Sequence, residues 1–189
     1  MASRPARRGR PPKAEAGDTR DRLLDAAAGA CAERGFDGAT LHEIARRAGV
    51  TATAVYNHFG SREDLLHEAG VRGLQRMTEA ASGGEATGFA AIARAYLRPD
   101  MAATRRLLAE LHLASRRDPR LAALLEGWHR AEAERLAARL APDRDPAATT
   151  KALFLLLLGL CHLDDLGAVE ADPAAVADRV ADLATGLEG

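Results

Sequence analysis

Between Thr40 and Phe59 the chain carries two helical patterns of about eight residues with a forced turn between them, and few folds accommodate that arrangement. In LHEIARRA, Leu41, Ile44, Ala45 and Ala48 recur at helical spacing and face inward, while His42, Arg46 and Arg47 face outward. Gly49 ends this helix and Val50 plugs the corner. A second helix starts at Thr51 or Ala52, with Val55 and Phe59 as its apolar i,i+4 pair. Thr51, Thr53, Tyr56, Asn57 and His58 are left for its other faces. Because Ala45 is small and Gly49 turns without steric cost, the two helices can cross at a steep angle.

The flanks complete a three-helix unit. Asp18 and Thr19 can cap a preceding helix, whose Leu23, Leu24, Ala27, Ala30 and Cys31 form one apolar face before Gly35 stops it. Phe36 follows as a core anchor, and Thr40 caps the next helix. Ser61 caps a long fourth helix, with Glu63 and Asp64 at its positive end. Beyond it the chain is rich in alanine and leucine, with breaks that delimit helices near 62–80, 86–97, 101–116, 119–140, 147–166 and 173–187. Asp118-Pro119 and Asp172-Pro173 each place a cap before a proline at the first helical position. No strand pattern or internal repeat interrupts this, so the fold class is all-α, about nine helices in all. The organisation expected is a basic disordered arm over 1–17, a three-helix domain over 18–65 and a further helical domain over 66–189.

Charge is distributed unevenly. Residues 1–62 hold eleven Lys or Arg against seven Asp or Glu, and the remainder fifteen against twenty, within a formal total of −1. A positive front half steers towards phosphate without making the whole chain a polycation. Residues 1–17 carry Arg4, Arg7, Arg8, Arg10 and Lys13 among Pro and Gly with no apolar periodicity, and they read either as an arm along DNA or as a solubilising leader. Cys31 and Cys161 stand 130 residues apart inside helical patterns, without a CxxC motif, which points to reduced core thiols in a cytoplasmic protein. The longest apolar run, Ala152 to Cys161, is too short to span a bilayer.

The helix over 51–59 suits a DNA groove. Its first residues are short, so its backbone can enter a major groove about 12 Å wide. Thr51 and its neighbouring amides can meet phosphate, Thr53 a base edge or a thymine methyl, Tyr56 a phosphate or a methyl group, and His58 the backbone. His42 reads equally as a base or phosphate contact and as a solvated surface residue.

The whole run GFDGATLHEIARRAGVTATAVYNHFGSREDLLHEA resembles the N-terminal DNA-binding domain of TetR-family repressors, strongly over residues 19–69. The resemblance implies that Thr40 caps its helix against a phosphate, that Thr51, Ala52, Thr53, Tyr56 and His58 face an operator, and that Arg62 meets backbone phosphate. Asn57, on the same helix, joins them as a candidate. Ala52 stands where many members carry a longer or polar side chain and can offer only a methyl contact, so specificity leans on Thr53, His42 and the arm. The resemblance also implies a ligand-responsive repressor that binds an inverted-repeat operator as a homodimer and is released by a small molecule.

After residue 80 the resemblance rests on general organisation alone. The stretch ALFLLLLGLC over 152–161 is apolar around nearly its full circumference, so one face packs on its own core and another on a second copy, giving a homodimer through helices about 147–166 and 173–187. Phe89, Tyr96, Met101, Leu108, His112, Leu125, Trp128 and His129 are the candidates to line an effector pocket, with core filling the other reading for Trp128. His112, His129, His162, Asp164 and Asp165 are scattered over different helices without metal-ligand or nucleophile spacing, so neither a metal, a cofactor nor an enzyme is expected. A helical protein-interaction adaptor would explain the apolar run and leave the arm and the turn without a cause.

Overall fold

The computed structural model describes residues 13–82 and 94–137 continuously, with individual positions from 145 to 183. Phe89, Cys161, His162 and the arm residues 1–12 lie outside the described residues. Helix α1 covers Lys13–Gly38, α2 Leu41–Ala48, α3 Ala52–Phe59 and α4 Arg62–Ser82. A short 3-10 turn over Pro99–Met101 leads into α5, Ala102–Ser115, and α6 follows over Pro119–Ala137. Helical positions recur between 148 and 159 and between 175 and 183. The fold is all-α, a three-helix head (α1 to α3) followed by a helical body.

Side-chain caps set the short helices. Thr40 Oγ1 accepts the Glu43 amide hydrogen (3.3 Å), Thr51 Oγ1 that of Ala54 (3.2 Å), and Ser61 Oγ that of Asp64 (3.0 Å). Gly49 takes a left-handed conformation (φ 66°, ψ 35°), and its N–H closes on the carbonyls of Ala45 and Arg46, ending α2 as its sequence requires. In the body, Asp118 Oδ1 accepts the Arg120 amide hydrogen (2.8 Å) directly before the proline that opens α6.

Helix α1 begins at Lys13, within the stretch 13–17 that the sequence expectation gives to the arm. Gly35 (φ 73°, ψ 169°) breaks its helical path, as the sequence expects, and a further helical turn continues to Gly38. The ring of Phe36 beyond the kink packs against the core, as its anchor role requires.

The buried residues form one continuous cluster that crosses from head to body. Leu23, Ala27 and Cys31 of α1, Ile44 of α2 and Val55 of α3 join Leu65 and Met77 of α4, Leu107 and Leu111 of α5, and Leu121 of α6. Helix α1 packs against α2, α4 and α5 alike, so the head has no core separate from the body. Burial pushes the Cys31 thiol up to about 12, which leaves it unionised and unreactive at neutral pH.

Candidate DNA-binding face and body pocket

On α3 the burial pattern separates two jobs. Val55 and Phe59 are buried in the head, whereas Ala52, Thr53, Tyr56 and Asn57 are exposed, Tyr56 at 56%. Positions 52, 53, 56 and 57 lie one turn apart in pairs and make one continuous helical face. Thr51 is exposed at its N-terminus and His58 is half-buried at its end. Thr40 and His42 are exposed at the start of α2. An exposed tyrosine beside a threonine, an asparagine and an exposed, threonine-capped helix N-terminus offers hydrogen bonds and a flat apolar ring to a groove.

Arginines that the sequence assigns to this surface are turned inward. Arg62 Nε donates to the Ala39 carbonyl (2.8 Å), its Nη2 donates to the Phe36 carbonyl, and the guanidinium lies 5.5 Å from the Phe36 ring centroid. It closes the α1–α2 connection onto α4. Arg47, expected to face outward, is only 21% exposed. Its Nε donates to Glu43 Oε1 (2.7 Å) and its Nη1 to Glu33 Oε1 (2.9 Å), so it bolts α2 to α1. Arg46 adds a two-pronged contact to Glu43 (3.0 and 2.8 Å). Hydrogen bonds from Arg46 and then Arg47 hold the Glu43 carboxyl down at about 2. These partners lie three, four, 14 and up to 26 residues apart, and only the shortest spacings are visible as helix neighbours in sequence.

Five of the eight pocket candidates meet in the body. Tyr96, Leu108, His112, Trp128 and His129 line one small pocket together with Ala109, Phe154 and Leu158. Met101 and Leu125 do not line it; both are buried in the core, because their positions on the helices turn them inward. Phe154 and Leu158 are additions that the sequence offered only as part of a dimerisation helix. The T-shaped contact of Phe154 with His129 (centroids 4.5 Å apart, planes at 83°) accounts for one of them. The buried Arg105 donates to the carbonyls of Tyr96 and Arg98, fixing the segment that presents Tyr96. On the other side of Trp128 an open groove of about 650 Å³ runs between α4 and α6. The indole N–H donates to Thr78 Oγ1 (3.1 Å) and Thr78 donates to Glu132 (2.6 Å), locking the tryptophan as a wall between groove and pocket.

Among the described residues no group of three His, Cys, Asp or Glu is placed to hold a metal ion, and no helix is long and apolar enough to cross a membrane.

Residues 23–69 match the family model for bacterial regulatory proteins of the tetR family. The chain is similar to the HTH-type transcriptional regulator UidR of Escherichia coli K12, 28% identical over 186 residues and covering 92% of this chain and 91% of the relative. It is 49% identical over 53 residues to SrpR of Pseudomonas putida, a match covering 28% of this chain and 25% of that one. In fold it is similar to a transcriptional regulator from Rhodococcus sp. Rha1, with a TM-score of 0.79 at 22% identity over 89% of this chain and 95% of the other.

Proposed function

We propose that this chain, a member of the TetR family of transcriptional regulators, binds an inverted-repeat operator as a homodimer and is released from it by a small molecule in the body pocket. The observation that carries the reading is the exposed face of α3: a tyrosine, a threonine and an asparagine left without burial on a helix that is otherwise anchored and capped. A surface that served only the fold would not leave a tyrosine ring out while securing its neighbours. Thr51, Thr53, Tyr56, Asn57 and His58 contact DNA in this reading, with Thr40 and His42 at the adjoining helix start, and Ala52 offers its methyl group. Arg62 acts from behind, holding α4 to the head.

The second copy is supported by Leu155 and Leu183, 63% and 65% exposed on the helical segments after residue 148. A two-fold pair of heads requires a site with matching symmetry and half-sites about one helical turn, 34–36 Å, apart. Release is supported by α5, which touches both ends of the system. His112 lines the pocket, while Glu110 of the same helix accepts the Phe36 amide hydrogen (3.2 Å) beyond the α1 kink. Where the operator overlaps a promoter, such a protein represses. Selection of bound duplexes from a random pool tests the reading: enrichment of an inverted repeat is expected, and a pool that stays unselected would reject it.

A further inference from the structure

The positive charge of the front half lies ahead of the fold. Of the eleven basic residues over 1–62, four (Arg4, Arg7, Arg8 and Arg10) fall within 1–12, a stretch without Asp or Glu. Residues 13–62 hold the other seven, Lys13 and six arginines, against seven Asp or Glu, so the three-helix head is formally neutral. Helix α4 then opens with Glu63 and Asp64. The exposed face of α3 adds nothing to the balance, since residues 51–58 contain no Lys, Arg, Asp or Glu. Each of the six head arginines is also matched to a carboxylate. Arg20 pairs with Glu68, Arg22 with Asp18 (3.6 Å), Arg34 and Arg46 with Glu43 (3.7 and 2.8 Å), Arg47 with Glu33 (2.5 Å) and Arg62 with Glu63 (3.3 Å). A protein gains electrostatic affinity for DNA when its cations displace counterions condensed on phosphate. An arginine moved from a carboxylate to a phosphate leaves that carboxylate to collect a counterion of its own, so the exchange releases little.

We propose that Arg4, Arg7, Arg8 and Arg10 are the electrostatic contact of this regulator with DNA: they take duplex phosphates flanking each half-site, whatever the base sequence, while the neutral head selects the sequence. The inference rests on the operator reading and names the part of the chain that supplies its attraction to DNA. Residues 1–12 lie outside the described positions, and their reach follows from where they are attached. Helix α1 begins at Lys13, and the Arg20 guanidinium lies 4.8 Å from the ring centroid of Phe59, the last residue of α3. From residue 13 to residue 20 the helix rises about 10 Å, at about 1.5 Å per residue. Twelve residues ahead of it span at most about 40 Å. The two backbones that border a major groove about 12 Å wide fall within that reach when the groove holds α3.

The test uses the full chain with a duplex carrying the inverted repeat enriched from the random pool, beside a scrambled duplex of equal length. Fluorescence anisotropy gives the affinity of each as NaCl is raised from about 50 to about 200 mM. Four arginines on each of two copies predict that the parent loses about 10³–10⁵ in operator affinity over that range. A variant with Arg4→Gln, Arg7→Gln, Arg8→Gln and Arg10→Gln together should bind both duplexes more weakly and still enrich the same inverted repeat. Its log–log salt slope should be shallower by about seven. Arg46→Gln removes an exposed head arginine already paired with Glu43, and should leave the slope within about one of the parent's. An unchanged slope in the arm variant, an equal loss of slope in Arg46→Gln, or a different enriched sequence once the arm is neutral would each overturn the assignment and leave the operator reading standing. A parent that enriches no sequence would overturn the operator reading and the arm assignment with it. Circular dichroism checks that the variants keep their helices. Should the arm variant not fold, the parent's own slope decides, and a value shallower than about −2 overturns the proposal.

Discussion

In the head, Glu43 collects hydrogen bonds from Arg46 and Arg47, and Arg62 is spent on two backbone carbonyls; in the body, His112 lies within hydrogen-bond distance of the Leu108 carbonyl and of His129. The head over-determines its polar groups with full charges at close range, which fixes the eight-residue α2, too short to hold its shape alone, against α1. The body relies on leucine and alanine contacts around a few polar groups, among them the histidine pair, the Trp128–Thr78–Glu132 chain and Arg105. A reading surface needs fixed geometry, and a ligand-responsive pocket needs a second accessible arrangement.

The largest test of that contrast asks whether head and body unfold apart. Ile44 and Leu111 are both fully buried, one in each region, within the same cluster. Ile44→Ala and Leu111→Ala should each cost about 2–5 kcal/mol. Urea unfolding followed by circular dichroism should show one shared transition moving in both variants; an early step confined to Ile44→Ala would break the single-core description. A smaller effect is expected at Arg62. Arg62→Ala should lose about 2–3 kcal/mol as its two carbonyl partners lose a charged donor. Arg62→Lys should recover little, because an ammonium cannot replace the planar fork. A lysine variant with full thermal stability and weakened operator binding would return Arg62 to the phosphate role.

Tyr56→Ala isolates the reading face itself. Operator affinity should fall about tenfold, or about 1.4 kcal/mol, while stability stays within about 0.5 kcal/mol for so exposed a side chain. Equal binding by variant and parent in a fluorescence-anisotropy titration would remove Tyr56 from the contact surface. The gentlest test is acid. Glu43 titrates at about 2 in the folded head against an ordinary 4.5, so its stabilising share is complete above 4.5 and drains away as pH falls towards 2. Glu43→Gln should be less stable at neutral pH, with a shallower stability slope between those two values. Parallel slopes for parent and variant would separate Glu43 from the acid response.

How much of this was legible in sequence follows the range of each interaction. The caps at Thr40, Thr51 and Ser61, the turn at Gly49 and the buried pair Val55 and Phe59 depend on neighbours within four residues, and the pattern displays them directly. Arg47 and Arg62 have polar surfaces in the pattern and inward partners in space, because Glu33 and Phe36 reach them only after the helices pack. The pocket histidines were visible as residues but not as a pair, since they meet across two helices at a separation of 17 residues. Met101 and Leu125 share the composition of a lining and lie on the wrong side of their helices. The arm residues 1–12 and Phe89 fall outside the described positions.

The kink at Gly35 has a consequence for anyone who grafts this head onto another regulator. A Cβ at that position would stand 3.0 Å from Glu110 Oε2 and would also have to adopt φ +73°, so the site is closed to side chains on two counts. The same carboxylate accepts the Phe36 amide hydrogen, while Arg117 donates to Asp37 (3.0 Å) and Arg120 pairs with Asp64 (2.9 Å). Contacts of the head therefore reach well past residue 65, and a transplanted head leaves its partners Glu110, Arg117 and Arg120 behind unless the receiving body presents their equivalents.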